Sequence, residues 1–297
     1  MNSPTLSAQC FVKTLDGVEL NCIRAGPSNG RNVLFIAGWR QPVASWKKQV
    51  AAFSQKGFRV TAFDYRGHGD SAKPSFGYTI ARFGADLRDV LVQLDLKSVS
   101  VVAHSMGSSV VWSFWSNFPE ERHRLERFAI VDQSTVLVRN PTWNQSERET
   151  FAAALFSPAG VYEFCAVLPT KLEEFIRSMF SADVSEDDFT WFLTENKKMS
   201  NENAATLLIN HAFADWRNTI PLVDIPTLVI AGEASLNKAS SIVWAATQMP
   251  NARQRTFSKE ERGSHFMFWE NPGLFNSVLE EFIDAPVDYA RSQSVRR

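Results

Sequence analysis

The sequence predicts an α/β protein built on a mostly parallel sheet, and two observations support this prediction. Short apolar runs alternate with segments of helical period, and the runs lie at 32–38, 59–64, 98–104, 128–132 and 227–232. Runs without polar alternation are typical of strands buried on both faces of a parallel sheet, and the segments between them are then crossover helices. The alternation stops near 139 and resumes near 221, which indicates a helical insertion.

The first elements follow from local signals. An Asp-Gly dipeptide at 16–17 separates the β-forming segments 11–14 and 18–23, which predicts a β-hairpin at the start of the chain. The segment 45–57 predicts a helix that ends in a glycine, and 79–96 predicts an amphipathic helix with one apolar stripe. Both helices have the period that a crossover against the sheet requires.

Helix signals without strand signals fill the interval from about 139 to 221. Residues 146–149 fit a capping box, residues 185–188 form a weaker one, and 203–216 is apolar at helical spacing. We therefore predict a core domain in two parts with a helical cap inserted between them, at 1–139, 140–220 and 221–297.

The cap carries more aromatic residues than the core of so small a subdomain needs. We expect some of them to line an apolar pocket against the main domain, and plain packing is the alternative. The candidate pocket residues are Gln41 in the main domain and Trp143, Trp191 and Trp216 in the cap.

Charge and composition exclude several classes of function. The 297 residues carry 31 basic and 32 acidic side chains, so no net field attracts nucleic acid or an anionic membrane. Cys10, Cys22 and Cys165 form no CxxC pair, which argues against a zinc site or a disulfide framework. No leader pattern and no apolar run of about 20 residues is present. We expect a cytoplasmic protein that acts on a small-molecule substrate and has neither nucleic-acid nor membrane partners. Whether it forms a homodimer stays open.

A candidate nucleophile follows the apolar run 98–104. The stretch VVAHSMGSS at 101–109 breaks a β-forming run at Ser105. Where a parallel strand turns sharply into a helix, small residues two before and two after the central one let the backbone close and expose that side chain. Ala103 and Gly107 occupy those places. We interpret Ser105 as a nucleophile, the alternative being a serine that caps the following helix.

A serine hydroxyl needs a base to take its proton, and five histidines are available. His265 lies in a glycine-flanked loop, GSHFMFWENP at 263–272, after the predicted last strand. We expect His265 to be the base, with a structural histidine as the alternative. His104 is expected to point away from Ser105 and pack in the core. The other three lie in a turn, a charged segment and the cap: His68, His123 and His211.

Four segments stand in order along the chain: FIAGWRQ at 35–41, FDYRGHGDSAKP at 63–74, AHSMGS at 103–108 and GSHFMFWENP at 263–272. Together they resemble the α/β-hydrolase superfamily over nearly the whole chain. The resemblance implies the α/β-hydrolase fold, a mostly parallel eight-stranded sheet flanked by helices, with an inserted helical cap. It also implies the chain order nucleophile, acid, histidine.

The same resemblance assigns two further groups. It implies an oxyanion hole made of the backbone N–H groups of Trp39 and Met106, while a tight loop with a packing tryptophan is the alternative at 38–41. Asp64 and Arg66 are expected to pair as a local brace under the site and not to be catalytic.

The position of the acid departs from the family pattern. Members usually place it after the seventh strand, where this chain has Ser235, and serine cannot stabilise an imidazolium as a carboxylate does. Some members carry the acid after the sixth strand, and Asp132 occupies that place. We favour Asp132 as the triad acid, and the alternatives are Glu233 or a site without an acid. Asp132 could instead have a structural role, as a side chain that caps a loop.

The motifs favour hydrolysis of an ester, lactone or activated carbon–carbon bond in a small, rather apolar molecule, through an acyl-Ser105 intermediate. Dehalogenation and epoxide opening normally need an aspartate at the position of the nucleophile. Because Ser105 occupies that position here, both reactions are disfavoured. The motifs are also similar in part to cofactor-free dioxygenases of hydroxy-oxoquinolines, but Gln41 and Met106 stand where those enzymes carry histidines. Base-driven cyclisation or elimination and a binding protein without catalysis stay open. No nucleotide loop, metal-ligand cluster or covalent-cofactor motif is visible, so we predict neither cofactor nor metal.

Overall fold

An eight-stranded sheet forms the centre of the protein in a computed structural model, which describes residues 8–151 and 155–286. Its order is β1-β2-β4-β3-β5-β6-β7-β8. The pairs β1–β2 and β2–β4 are antiparallel and the others parallel. The fold prediction is therefore confirmed. The strands are β1 (Ala8–Lys13), β2 (Glu19–Ala25), β3 (Asn32–Ile36), β4 (Arg59–Phe63), β5 (Val99–His104), β6 (Leu125–Val131), β7 (Thr227–Gly232) and β8 (Ala252–Phe257).

Helices flank this sheet, and every residue of β5 and β7 is buried, as strands covered on both faces require. The α-helices of the described chain are α1 (Lys47–Gln55), α2 (Ile80–Gln93), α3 (Met106–Asn117), α4 (Gln145–Thr150), α5 (Pro158–Arg177), α6 (Glu186–Asn196), α7 (Asn201–Ala212), α8 (Ala239–Gln248), α9 (Met267–Glu270) and α10 (Pro272–Asp284). Short 3₁₀ turns occupy 43–46, 119–124 and 220–222.

Helices α4 to α7 lie between β6 and β7, where the insertion was predicted. The first of them begins earlier than the predicted box at 146–149, because Asn144 is its cap. The Asn144 side chain accepts from the Glu147 N–H at 2.9 Å, and the Glu147 carboxylate accepts from the Asn144 N–H at 3.0 Å. The Ser185 cap of α6 is as predicted. The division of the chain into domains stays a prediction.

Two side chains of the loop after β3 join this helical segment to the sheet. The buried Arg40 guanidinium donates to the carbonyl oxygens of Asn196 at 3.1 Å and Met199 at 2.7 Å, and to Asn201 Oδ1 at 2.9 Å. Trp39 Nε1 donates to the Ala204 carbonyl at 2.9 Å. The helical segment therefore lies against the loop that was expected to supply the oxyanion hole.

The expected Asp64–Arg66 brace is wrong, because each side chain has other partners. The buried Asp64 carboxylate accepts from the backbone N–H of Val43 at 2.6 Å and from Asn21 Nδ2 at 2.8 Å. Arg66 instead binds two other carboxylates, at 2.7 Å from Asp86 and 2.9 Å from Asp16. Both residues brace loops, but through separate networks.

Strand register brings two of the cysteines together, although they are twelve residues apart in the chain. Cys10 stands opposite Cys22 in the β1–β2 pair, and both are free thiols. Burial raises the pKa of the Cys22 thiol. Among the described residues, no helix is long and apolar enough to cross a membrane.

Candidate active site

Ser105 occupies a strained turn between β5 and α3. Its backbone has φ 51° and ψ −129°, a conformation that non-glycine residues adopt only when the surroundings impose it. Gly107 permits the turn, since a Cβ there would come within 2.7 Å of the Ala37 carbonyl oxygen. The residues on either side of Ser105 are buried while Ser105 itself is partly exposed. The sharp turn therefore presents this serine at the carboxyl edge of the sheet.

His265 and Asp132 meet at the same edge. Asp132 is the first residue after β6, and His265 lies in the loop between β8 and α9. The His265 Nδ1 atom is 2.5 Å from Asp132 Oδ2, and the two residues are 2% and 0% exposed. Because Nδ1 faces the carboxylate, Nε2 is the nitrogen left for other partners. The Ser105 hydroxyl makes no hydrogen bond to His265 in the described structure, although both residues line one cavity.

Ser235 contributes to this site in a way the sequence did not predict. Its hydroxyl donates to Asp132 Oδ2 at 2.5 Å, the same oxygen that faces His265. The Gly232 N–H donates to the other carboxylate oxygen at 3.2 Å. Serine thus occupies the usual place of the acid and hydrogen-bonds the acid of the neighbouring strand. Glu233, the alternative acid, is exposed, and the carboxylate that faces His265 in the described chain is that of Asp132.

The loop after β3 lies against Ser105. A Cβ added at Gly38 would lie 3.0 Å from the Ser105 Cβ, so a side chain there would have to push Ser105 or Gln41 aside by a few tenths of an ångström. The Gly38 N–H donates to Gln41 Oε1 at 3.2 Å and the Arg40 N–H to His68 Nε2 at 3.0 Å, which hold the loop in its turn. Within the described chain, no hydrogen bond is formed by the backbone N–H groups of the two predicted donors, Trp39 and Met106.

His104 connects the two loops on either side of Ser105. Its ring nitrogens lie 2.9 Å from Gln41 Oε1 and 2.8 Å from the His265 carbonyl oxygen. Burial lowers the pKa of His104 well below its ordinary value, so the imidazole is neutral. It is buried and packs in the core as predicted, with its ring 4.9 Å from that of Phe268. Its bridging contacts could not be inferred, since they depend on two loops distant in the sequence.

Ser105 and His265 open on a cavity of about 40 Å³ beneath the helical segment. Its polar lining consists of these two residues with Trp39, Gln41, Gln133, His211 and Asn237. Its apolar lining comes mainly from Leu137, Leu155, Phe156, Phe175, Met179 and Leu208. A volume of this size holds only a few water molecules, so a substrate must displace lining side chains.

The three tryptophans expected in the pocket lie elsewhere, and only Gln41 of the four candidates lines it. Trp143 packs on Phe151 at 5.3 Å between ring centroids. Trp191 stacks on Trp269 at 4.9 Å, and Trp216 packs 6.0 Å from Trp112. These side chains pack within the helical segment and against the core, which is the alternative that the sequence left open.

His211 also lines the cavity, from helix α7. It is 4% exposed, and its Nδ1 atom has no hydrogen-bond partner within the described residues. Burial lowers the pKa of His211 to about 3, so the ring is neutral at ordinary pH. Sequence analysis placed this histidine in the cap but could not determine which face of α7 it occupies.

Comparison with known proteins agrees with this fold. The chain belongs to the α/β hydrolase family, whose model matches residues 33–278. It is similar to a non-heme chloroperoxidase of Burkholderia pyrrocinia, at 34% identity over 93% of this chain and 99% of that protein. Two solved structures share the fold. A bromoperoxidase from Bacillus anthracis has a TM-score of 0.84 at 23% identity, covering 94% of this chain and 100% of that one. The esterase EaEST from Exiguobacterium antarcticum has a TM-score of 0.81 at 20% identity, covering 94% of this chain and 100% of that one.

Proposed function

We propose that this protein is a serine hydrolase with Ser105, His265 and Asp132 as its catalytic triad. Its substrate is an ester, a lactone or an activated carbon–carbon bond in a small, rather apolar metabolite. The observation that carries the proposal is the buried 2.5 Å contact between His265 Nδ1 and Asp132 Oδ2, because His265 lines the same cavity as Ser105. Family membership and the esterase fold neighbour support a hydrolytic role.

The reaction follows from these positions. His265 Nε2 takes the Ser105 proton as Oγ attacks the substrate carbonyl carbon, and the imidazolium is stabilised by the Asp132 carboxylate. The negative charge on the carbonyl oxygen is stabilised by the N–H groups of Trp39 and Met106, each worth about 3 kcal/mol. The C–O or C–C bond then breaks and His265 protonates the leaving group. A water molecule, deprotonated by the same imidazole, finally releases the acyl group from Ser105.

The lining of the cavity favours a neutral substrate. Within the described residues, no Lys, Arg, Asp or Glu side chain lines it. A carboxylate or phosphate would enter without a partner for its charge, at a cost of several kcal/mol. Neutral esters, lactones and diketones therefore suit the site best.

The test is steady-state hydrolysis of p-nitrophenyl butyrate. We expect Ser105→Ala and His265→Ala to lower kcat by about 10⁴-fold or more, because each removes a member of a unit that acts together. Exposed residues of the same types provide matched controls, and Ser277→Ala and His123→Ala should retain wild-type activity. Equal turnover by wild type and Ser105→Ala would contradict the proposal.

A further inference from the structure

His211 is a buried polar residue that the proposed triad does not use. Its ring is part of the cavity wall together with Ser105 and His265, but it belongs to helix α7 of the insertion. The Nδ1 atom is buried and has no partner in the described chain, and no carboxylate pairs with the ring there. Buried polar groups are normally hydrogen-bonded, because each one left unpaired costs about 1–3 kcal/mol. A bound molecule that supplies the missing partner would recover this free energy.

Helix α7 is held from two sides, which fixes His211 relative to the nucleophile. The Trp39 indole donates to the carbonyl of Ala204 at 2.9 Å, and Asn210 Oδ1 accepts from the Ile80 N–H at 2.8 Å. Trp39 is also next to Gly38, which lies against Ser105. The distance between the reacting carbonyl and His211 is therefore set by the fold, as recognition of a distant substrate group requires.

The neutral imidazole limits what this residue can bind. With its pKa lowered to about 3, His211 offers one N–H donor and one lone pair and carries no charge. It cannot neutralise a carboxylate, and the rest of the cavity lining within the described residues has no cation. A keto or hydroxyl oxygen satisfies the ring, whereas a purely aliphatic acyl chain leaves it unpaired.

We propose that His211 binds a keto or hydroxyl oxygen on the acyl part of the substrate, away from the carbonyl that Ser105 attacks. The natural substrate class is then a neutral oxygenated acyl ester or lactone rather than a simple alkyl ester. This inference rests on the proposed hydrolase function and deepens it. It makes His211 a substrate-binding residue that determines specificity, with no part in proton transfer.

The test compares p-nitrophenyl hexanoate with its 3-oxo, 4-oxo and 5-oxo analogues. We expect wild type to prefer one oxo ester over hexanoate by about tenfold or more in kcat/KM, since a site built to hydrogen-bond an oxygen discriminates against an analogue that lacks it. His211→Phe should abolish the preference, by lowering kcat/KM for the preferred oxo ester by about tenfold or more relative to that for hexanoate. His211→Gln, which keeps a donor and an acceptor, should retain most of the preference.

The outcomes separate this inference from the function on which it rests. If wild type hydrolyses hexanoate but prefers no oxo ester, or if His211→Phe keeps the preference, the role of His211 is contradicted while the triad stands. If wild type is folded and hydrolyses none of the four esters, the proposed function and this inference both fail. Should His211→Phe not fold, loss of the preference in His211→Leu and its retention in His211→Gln support the inference, and the reverse pattern contradicts it.

Discussion

At the scale of single residues, one carboxylate oxygen determines how the candidate triad is arranged. Asp132 Oδ2 lies 2.5 Å from His265 Nδ1 and 2.5 Å from the Ser235 hydroxyl. A carboxylate at position 235 as well would put two negative charges beside one imidazole, which is unfavourable. Serine avoids that repulsion, and its hydroxyl stabilises the negative charge of Asp132.

This geometry predicts that the triad acid can be moved from position 132, after β6, to position 235, after β7. Asp132→Asn should lower kcat by about 10³- to 10⁴-fold, because an amide leaves the imidazolium unstabilised. Adding Ser235→Asp should restore activity at least about tenfold, since residue 235 already reaches the oxygen that faces His265. Hydrolysis of p-nitrophenyl butyrate measures both effects. The matched control adds Ser277→Asp, at an exposed serine, to Asp132→Asn. Equal activity of the two double variants would contradict the arrangement.

At the scale of elements, the loop after β3 and the helical insertion form one unit through Arg40. Its guanidinium binds the carbonyl oxygens of Asn196 and Met199, near the C-terminal end of α6, where a cation is favoured. Burial lowers the pKa of Arg40 to about 10, so it keeps its charge at neutral pH. The next residue towards the N-terminus is Trp39, one of the proposed oxyanion donors.

Arg40→Met should therefore affect stability and reactivity together. Loss of three hydrogen bonds, two of them buried, leaves carbonyl groups unpaired, and we expect the free energy of unfolding to fall by about 2–4 kcal/mol. Urea denaturation measures this change, and hydrolysis of p-nitrophenyl butyrate should slow by about tenfold or more as Trp39 loses its position. The control is Arg253→Met, at an exposed arginine of β8, and its free energy of unfolding should stay within about 0.5 kcal/mol of the wild-type value. A fully active and stable Arg40→Met would contradict this account.

Elements that depend on local pattern could be predicted from the sequence. Strands β5 and β7 are mostly apolar because they are covered on both faces, and their ends were predicted to within about a residue. Helix α7 was expected to continue to Trp216 but ends at Ala212. Beyond that point the Trp216 N–H donates to the Thr135 carbonyl at 3.1 Å, a long-range contact that helical periodicity does not reveal.

The candidate site also contains residues that local pattern could predict and residues that depend on long-range packing. Ser105 and Asp132 follow strand ends, and His265 follows the last strand, so the order of elements together with the family resemblance was enough to predict that they lie at one edge of the sheet. The positions of Ser235 and His211 depend on how loops and the helical insertion pack on the sheet. Nothing local in the sequence encodes those positions.

At the scale of the whole molecule, three buried histidines couple folding to pH. His68, His104 and His211 are neutral in the folded state, because burial lowers the pKa to about 4 for His68, well below its ordinary value for His104 and to about 3 for His211. In the unfolded chain each titrates near pH 6.5. Between these values the unfolded state binds more protons, so stability falls as the pH falls from about 6.5 towards the folded-state pKa.

His211 offers a direct measurement of this linkage. With a folded-state pKa of about 3, His211 should contribute a slope of about 1.4 kcal/mol per pH unit to the free energy of unfolding between about pH 4.5 and 5.5. His211→Gln should reduce the measured slope by about that amount, whatever its effect on stability at pH 7. Urea titrations at several pH values provide the slopes, and His123→Gln, at an exposed histidine, should leave the slope unchanged. An unaltered slope in His211→Gln would show that this ring is protonated or accessible in the folded protein.

The central claim is that Ser105 is an activated nucleophile, and the most direct test is intact mass after incubation with a fluorophosphonate probe. The account predicts one probe adduct on wild type and none on Ser105→Ala. His265→Ala should label more slowly by about 10³-fold or more, because its serine has no base. A folded wild-type protein that stays unlabelled, or an adduct that persists on Ser105→Ala, would contradict the claim.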